Sequence, residues 1–194
     1  MVVEKMKYYW MQQNEEFIQT VAYCPKSLHL SLDMIAELSN KEKLPFEFEL
    51  RSVSVKERLI VGNLSDICPN YLSNNFGCSI LSPKIKQIVD NCLFGSEDLK
   101  WIRVLVKGKN QRYDYYIPYF CHYLDTLDKN NTRYIPNTKL IINPAFDYNK
   151  YKDYAIFHSP NYVFWQMSRS LYVNQAIKEK VEHAKINDII FEII

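Results

Sequence analysis

The stretch Ser82–Leu93 constrains this chain more than any other. Ser82 can accept a hydrogen bond from the free amides of a first helical turn, and Pro83 follows where its missing N–H costs nothing. Ile85, Ile88, Val89, Cys92 and Leu93 then recur at helical spacing and form one apolar stripe. Lys84, Lys86, Gln87, Asp90 and Asn91 fill the opposite face, and Gly95 supplies a stop. A helix this short holds only when its stripe is buried against something larger. The β-patterned run that begins at Lys100–Val106 offers that surface.

The surrounding pattern is strand-rich. Phe46, Phe48 and Leu50 alternate with Glu47, Glu49 and Arg51, the signature of a half-buried strand. Trp101–Val106, a turn at Lys107–Asn110 and Arg112–Leu124 read as a hairpin, with Pro118 marking an edge or a bulge. Lys7–Met11 reads as a strand partnered by Phe17–Tyr23, and Lys139–Asn143, Tyr154–His158 and Asp188–Ile194 as further strands. Arg58–Val61 is another short candidate, and Gly62–Ser79 reads as an ordered loop. Ser31 can cap a short helix within Ser27–Ser39. The pattern predicts an α+β fold: a mostly antiparallel sheet, a central helix over about 82–94 and a C-terminal helix over about 170–184. Residues 1–194 read as one domain, with a weakly marked N-terminal part (1–62) ahead of the main portion (63–194).

Composition matters here mainly for what it excludes. Forty-seven per cent apolar and 24% charged residues belong to a folded globule. A formal charge of +2 lacks the basic excess of a nucleic-acid binder. No window approaches the roughly 18 apolar residues of a membrane span, and Met1–Trp10 has no secretory core, so the expected compartment is the cytoplasm. Five scattered cysteines without a CxxC pair read as reduced thiols, with Cys92 and Cys121 as small core hydrophobes. Four glycines leave little room for phosphate-cradling loops.

Candidate chemistry is sparse. Cys121 and His122 are neighbours, and neighbours on a strand point to opposite faces, which argues against a thiol–imidazole dyad between them. Asp125 and Asp128 sit among Lys129, Asn130 and Asn131, a turn-forming composition. The histidines show neither HxH nor HExxH spacing. No catalytic residue, metal ligand or cofactor is therefore expected. A small cytoplasmic hydrolase or transferase with a Cys/His or Asp/His site is the alternative reading. The unusual feature is tyrosine: ten of the fifteen lie between Tyr113 and Tyr162, where five basic residues balance five acidic ones. Such rings serve either as core or as a protein-contact surface. Tyr115, Tyr116, Tyr119 and Trp165 are the candidate contact residues.

Asp66-Ile67-Cys68-Pro69-Asn70-Tyr71, then Ile80-Leu81-Ser82-Pro83-Lys84-Ile85-Lys86-Gln87-Ile88, a tyrosine-rich strand ending near Leu124-Asp125, the segment Tyr154-Ala155-Ile156-Phe157, a terminal helix and a closing Ile189-Ile190-Phe191 strand form a recognisable layout. From about Leu64 to Ile194 it resembles the immunity proteins of bacterial polymorphic toxin systems, a group long known as a domain of unknown function. The chain departs from that layout at Cys68, which separates Ile67 from Pro69, and at Lys185–Asp188, which replaces a late glycine. The resemblance implies a cytoplasmic, non-catalytic protein that binds and neutralises a cognate toxin.

Overall fold

A computed structural model of the chain describes residues 5–17, 20–24, 30–52, 68–108, 110–138, 140–160 and 163–194. The strand expected at Arg58–Val61, the boundary near Gly62 and His29 lie outside the described residues. In chain order the elements are β1 (Tyr8–Gln13), β2 (Thr20–Tyr23), α1 (Leu32–Leu38), β3 (Lys43–Ser52), β4 (Tyr71–Asn74), β5 (Ile80–Leu81), α2 (Pro83–Asp90), β6 (Leu99–Lys107) and β7 (Arg112–Phe120). There follow β8 (Arg133–Tyr134), β9 (Ile141–Asn143), α3 (Tyr148–Tyr151), β10 (Ile156–His158), β11 (Leu171–Asn174), α4 (Gln175–His183) and β12 (Ile189–Ile193).

The fold has both helices and sheets, as expected, but the strands do not form one mostly antiparallel sheet. Six of them close into a barrel in the order β2-β3-β6-β7-β5-β4. Four others form an antiparallel sheet, β10-β11-β1-β12, and β8 pairs with β9 alone. Two barrel seams, β2–β4 and β3–β6, are parallel. Closure leaves those strands without a free edge, which an open sheet would have to protect.

The expected pairing of the first strand with Phe17–Tyr23 is corrected. β1 lies between β11 and β12, so residues from both ends of the chain share one sheet. Its Tyr8 and Met11 are almost completely buried, on opposite faces, as a central strand requires. β2 instead joins the barrel, where Ala22 is sealed inside.

α2 begins as the sequence predicts. Ser82 Oγ accepts from the Ile85 amide, and Pro83 opens the helix. The helix ends at Asp90, short of the expected 94, because Asn91 and Cys92 turn back onto Gln87 and Val89 carbonyls. Ile85 and Val89 are fully buried. The expected C-terminal helix also shortens. Leu171–Asn174 is buried strand, and Asn174 then caps α4 by accepting from the Ile177 amide. Four consecutive buried side chains suit a covered strand better than a one-sided helix.

Three apolar clusters result. One fills the barrel and includes Phe48, Leu72, Ile102, Val104, Val106, Ile117 and α1's Ile35 and Leu38. A second lies under α2 and α4 against the four-stranded sheet, around Met11, Leu81, Ile85, Phe120, Val173 and Ile177. A third, on the sheet's other face, is aromatic: Tyr8, Tyr151, Phe157 and Tyr172, with Phe157 and Tyr172 stacked 5.1 Å apart. Fully burying each large aliphatic chain contributes about 1.5–3 kcal/mol, so these clusters are the main stabilising term.

β7 shows why the tyrosine run was ambiguous in sequence. Tyr115, Ile117 and Tyr119 face the barrel interior; on the outer face Phe120 joins the second cluster while Tyr116 stays half-buried, so both faces are covered only toward the strand's end. The β6–β7 register runs unbroken through Pro118, which pairs with Trp101; there is no bulge.

Candidate functional site

The four aromatics singled out by the sequence occupy three different environments. Tyr115 is 3% exposed, and its hydroxyl donates to the Pro69 carbonyl at 2.9 Å. Tyr119 is 5% exposed and donates to the Ile35 carbonyl at 3.3 Å. Burial pushes both phenols above the ordinary range. These two rings fill the barrel and, as placed, offer nothing to a partner. Tyr116 points outward and is half-buried, edge-on to Trp101 with Lys86 Nζ 5.5 Å over its ring. Trp165 is half-buried in a 3-10 turn (Trp165–Met167), 5.2 Å from the His158 ring and 5.6 Å from Tyr123. The structure therefore does not gather the four into one face.

The candidate chemical groups meet in a small cleft of about 140 Å³ below the end of β7, lined in part by Glu97, Asp98, His122, Tyr123 and His158. His122 Nδ1 closes on Asp98 Oδ2, and Asp98 adopts a left-handed φ of 42°. The pair is solvated: the side chains are 84% and 50% exposed. Water screens such a pair and competes for its hydrogen bonds. Cys121 is exposed rather than in the core as expected, because β7 ends at Phe120 and its amide turns back to the Asp98 carbonyl. Desolvation and the Asp98 charge raise its thiol above the ordinary value, the opposite of an activated nucleophile.

His158 is buried and held from both sides. Its Nδ1 donates to the Ser159 carbonyl at 2.9 Å, and Nε2 accepts from the Leu124 amide at 2.9 Å. Those partners fix the neutral, Nδ1-protonated ring. Burial lowers its pKa accordingly. Glu97, 5% exposed, accepts from the amides of Phe94, Gly95 and Ala155. Both residues are occupied in holding backbone. Asp125 and Asp128 accept from Leu127 and from Asn130 and Asn131 in the turn role expected of them. Among the described residues no group of histidine, cysteine and carboxylate side chains is arranged to hold a metal ion. No described helix is long and apolar enough to cross a membrane.

The strand expected at Lys139–Asn143 is present as β9; what the sequence reading missed is its partner β8 and the arm the two make. β8 and β9 form an arm that, among the described residues, pairs with no other strand. Ile135-Pro136-Asn137-Thr138 makes its turn: Thr138 N–H donates to the Ile135 carbonyl at 3.0 Å, with Asn137 at φ 61°. Proline at the second and a left-handed asparagine at the third position suit a type II turn. The root is stitched to the body. Asp128 N–H donates to the Ala145 carbonyl, Thr132 Oγ1 bonds the backbone of Ala145 in both directions, and Leu127 bridges Phe146. Beyond the root the arm is apolar and bare: Tyr134 is 37% exposed, Ile135 41%, Leu140 59% and Ile142 63%. At the arm's base Lys129 is bridged to Asp125 at 2.9 Å, and Tyr123, 49% exposed, donates its hydroxyl to the Pro160 carbonyl. The signal was present as a turn sequence flanked by Tyr134-Ile135 and Leu140-Ile141-Ile142.

No protein-family model matches this chain, and no curated protein matches it.

Proposed function

We propose that this chain is a non-catalytic binding module, an immunity protein that binds and neutralises a cognate bacterial toxin in the cytoplasm. The observation that carries the reading is the arm Arg133–Asn143. A two-stranded hairpin is marginally stable by itself. Large apolar side chains left in water on such an element mark a contact surface, and this arm exposes four: Tyr134, Ile135, Leu140 and Ile142. The immunity-protein-like layout from Leu64 to Ile194 supplies the class of partner.

The mechanism is steric. The body presents the arm, and Tyr123 as a further exposed ring, to the toxin and covers the surface the toxin works through. Neutralisation requires tight binding; a nanomolar complex corresponds to about −12 kcal/mol. Covering Leu140 and Ile142, 59% and 63% exposed, would supply roughly 2–4 kcal/mol of it, with the rest spread over an interface of about 800 Å² per partner. Tyr116 and Trp165 remain candidate contacts at the periphery.

Sequencing the gene beside this one, and co-expressing any toxin module it encodes, tests the reading. Cells survive with the parent protein and die with Leu140→Glu/Ile142→Glu if the arm is the contact; survival with neither protein nor variant rules the pairing out. The Asp98–His122 pair favours a second reading, a hydrolase with an Asp/His site. Its exposure weighs against that reading, and His122→Ala separates the two.

A further inference from the structure

Among the described residues, the outer edge of β12 has no strand beside it. β12 is the last strand of the four-stranded sheet. Its bonds to β1 fall on even-numbered residues: Ile194 N–H donates to the Tyr8 carbonyl and Asn14 N–H to the Asp188 carbonyl, in phase with the pairs Trp10–Glu192 and Gln12–Ile190. In an antiparallel ladder the residues between point their amides and carbonyls the other way. Ile189, Phe191 and Ile193 therefore present a row of backbone groups outward, and among the described residues no bond reaches them. Sheet edges are commonly protected by lysine, proline or a bulge. β12 reads Ile-Ile-Phe-Glu-Ile, and its one charge, Glu192, is held inward by Gln12 at 3.0 Å. Ile190 is 44% exposed and Ile193 61%.

We propose that this edge pairs with the β12 of a second copy, continuing the sheet antiparallel across a two-fold axis. The strand is self-complementary in one register. Centring the axis on Phe191 sets Phe191 opposite Phe191 and Ile189 opposite Ile193 of the other copy. All three outward residues then lie in hydrogen-bonded pairs, with apolar side chains matched on the face that continues the core around Tyr9 and Phe191. Sliding by two residues either way loses one of the three pairs. One slide also sets Glu192 against Glu192, a like-charge contact that is destabilising across strands. Isologous pairing of this kind uses the β12 edge of both copies at once and so closes as a dimer, with β10 the outer strand at either end.

Sedimentation velocity from micromolar to submillimolar concentration tests the proposal. A dimer is expected to grow in with concentration. Ile193→Pro deletes an outward N–H that the monomer leaves to water, so the fold persists by circular dichroism while dimerisation weakens at least tenfold. Register is tested by oxidation. Ile190 and Glu192 of the two copies face each other as non-hydrogen-bonded pairs about 4.5 Å apart at Cα, within disulfide reach. The double variant Ile190→Cys/Glu192→Cys cross-links, and each single variant cross-links no more than the parent chain. A protein monomeric at every concentration, a dimer indifferent to Ile193→Pro, or equal cross-linking of a single variant overturns the proposal. If Ile193→Pro does not fold, the cysteine variants decide alone.

Discussion

Removing the Asp188 carboxylate should loosen the joint between barrel and sheet. Asp188 lies just before β12 and is 9% exposed. Its Oδ2 accepts from the backbone amides of Asn70 and of Tyr71, the latter at 3.1 Å, and its Oδ1 accepts from Asn70 Nδ2 at 3.0 Å. Asn70 in turn accepts through Oδ1 from Ser82 Oγ at 2.9 Å, and Ser82 caps α2. A relay of three side chains thus ties the closing strand to the start of β4 and to the central helix. Hydrogen bonds to a charged group contribute about 1.5–3 kcal/mol each. Asp188→Ala strands two backbone amides, one on the buried Tyr71, for a loss of roughly 3–5 kcal/mol. Asp188→Asn keeps one carbonyl oxygen and should lose about half as much. At about 2–4 °C per kcal/mol for a chain of this size, the alanine variant melts roughly 10 °C or more below the parent. Thermal and urea unfolding followed by circular dichroism read this directly. An Asp188→Ala protein within about 1 kcal/mol of the parent would refute the reasoning, since the carboxylate would then hold nothing that water does not.

Other consequences follow from the same geometry. His158 is held neutral with a pKa below its ordinary 6.5, so the unfolded chain takes up its proton first as the pH falls. Its contribution is complete above about 6.5 and declines as the pH drops toward the lowered folded value. A His158→Phe variant should show a flatter stability profile over that interval in urea unfolding at stepped pH. The exposed Asp98–His122 pair does no chemistry in the proposed function, so His122→Ala should protect co-expressing cells as well as the parent does; loss of protection with the fold intact would favour the catalytic reading. Leu140→Glu and Ile142→Glu replace side chains already in water, so each should shift stability by less than about 0.5 kcal/mol, and a melt well below the parent's would mean the arm packs on the body.

Much of the framework was legible because local signals agreed. Ser82-Pro83 opened α2, Ser31 capped α1 by accepting from Met34, and the Phe46/Phe48/Leu50 alternation turned out as a strand with Phe48 and Leu50 inward. What local signals could not carry was partnership. Nothing in Tyr8–Gln13 says that it pairs with residues more than 150 positions away, and closure of a barrel depends on parallel seams with no turn between the strands. Tyr115 and Tyr119 were offered as contact residues because shared parity places their rings on one face of β7 but does not say whether that face meets the core or a partner. Lys139–Asn143 read as a strand, but its partner β8 escaped notice because it is two residues long and sits among turn-forming residues.

The central claim, that this protein works by covering another through its apolar arm, is met most directly by titrating the purified toxin module with the parent chain and with Leu140→Glu/Ile142→Glu in a calorimeter. The account predicts a nanomolar complex for the parent and binding at least about a hundredfold weaker for the variant, the equivalent of roughly 3 kcal/mol. No heat of binding with the parent, or equal affinity for both proteins, would contradict it.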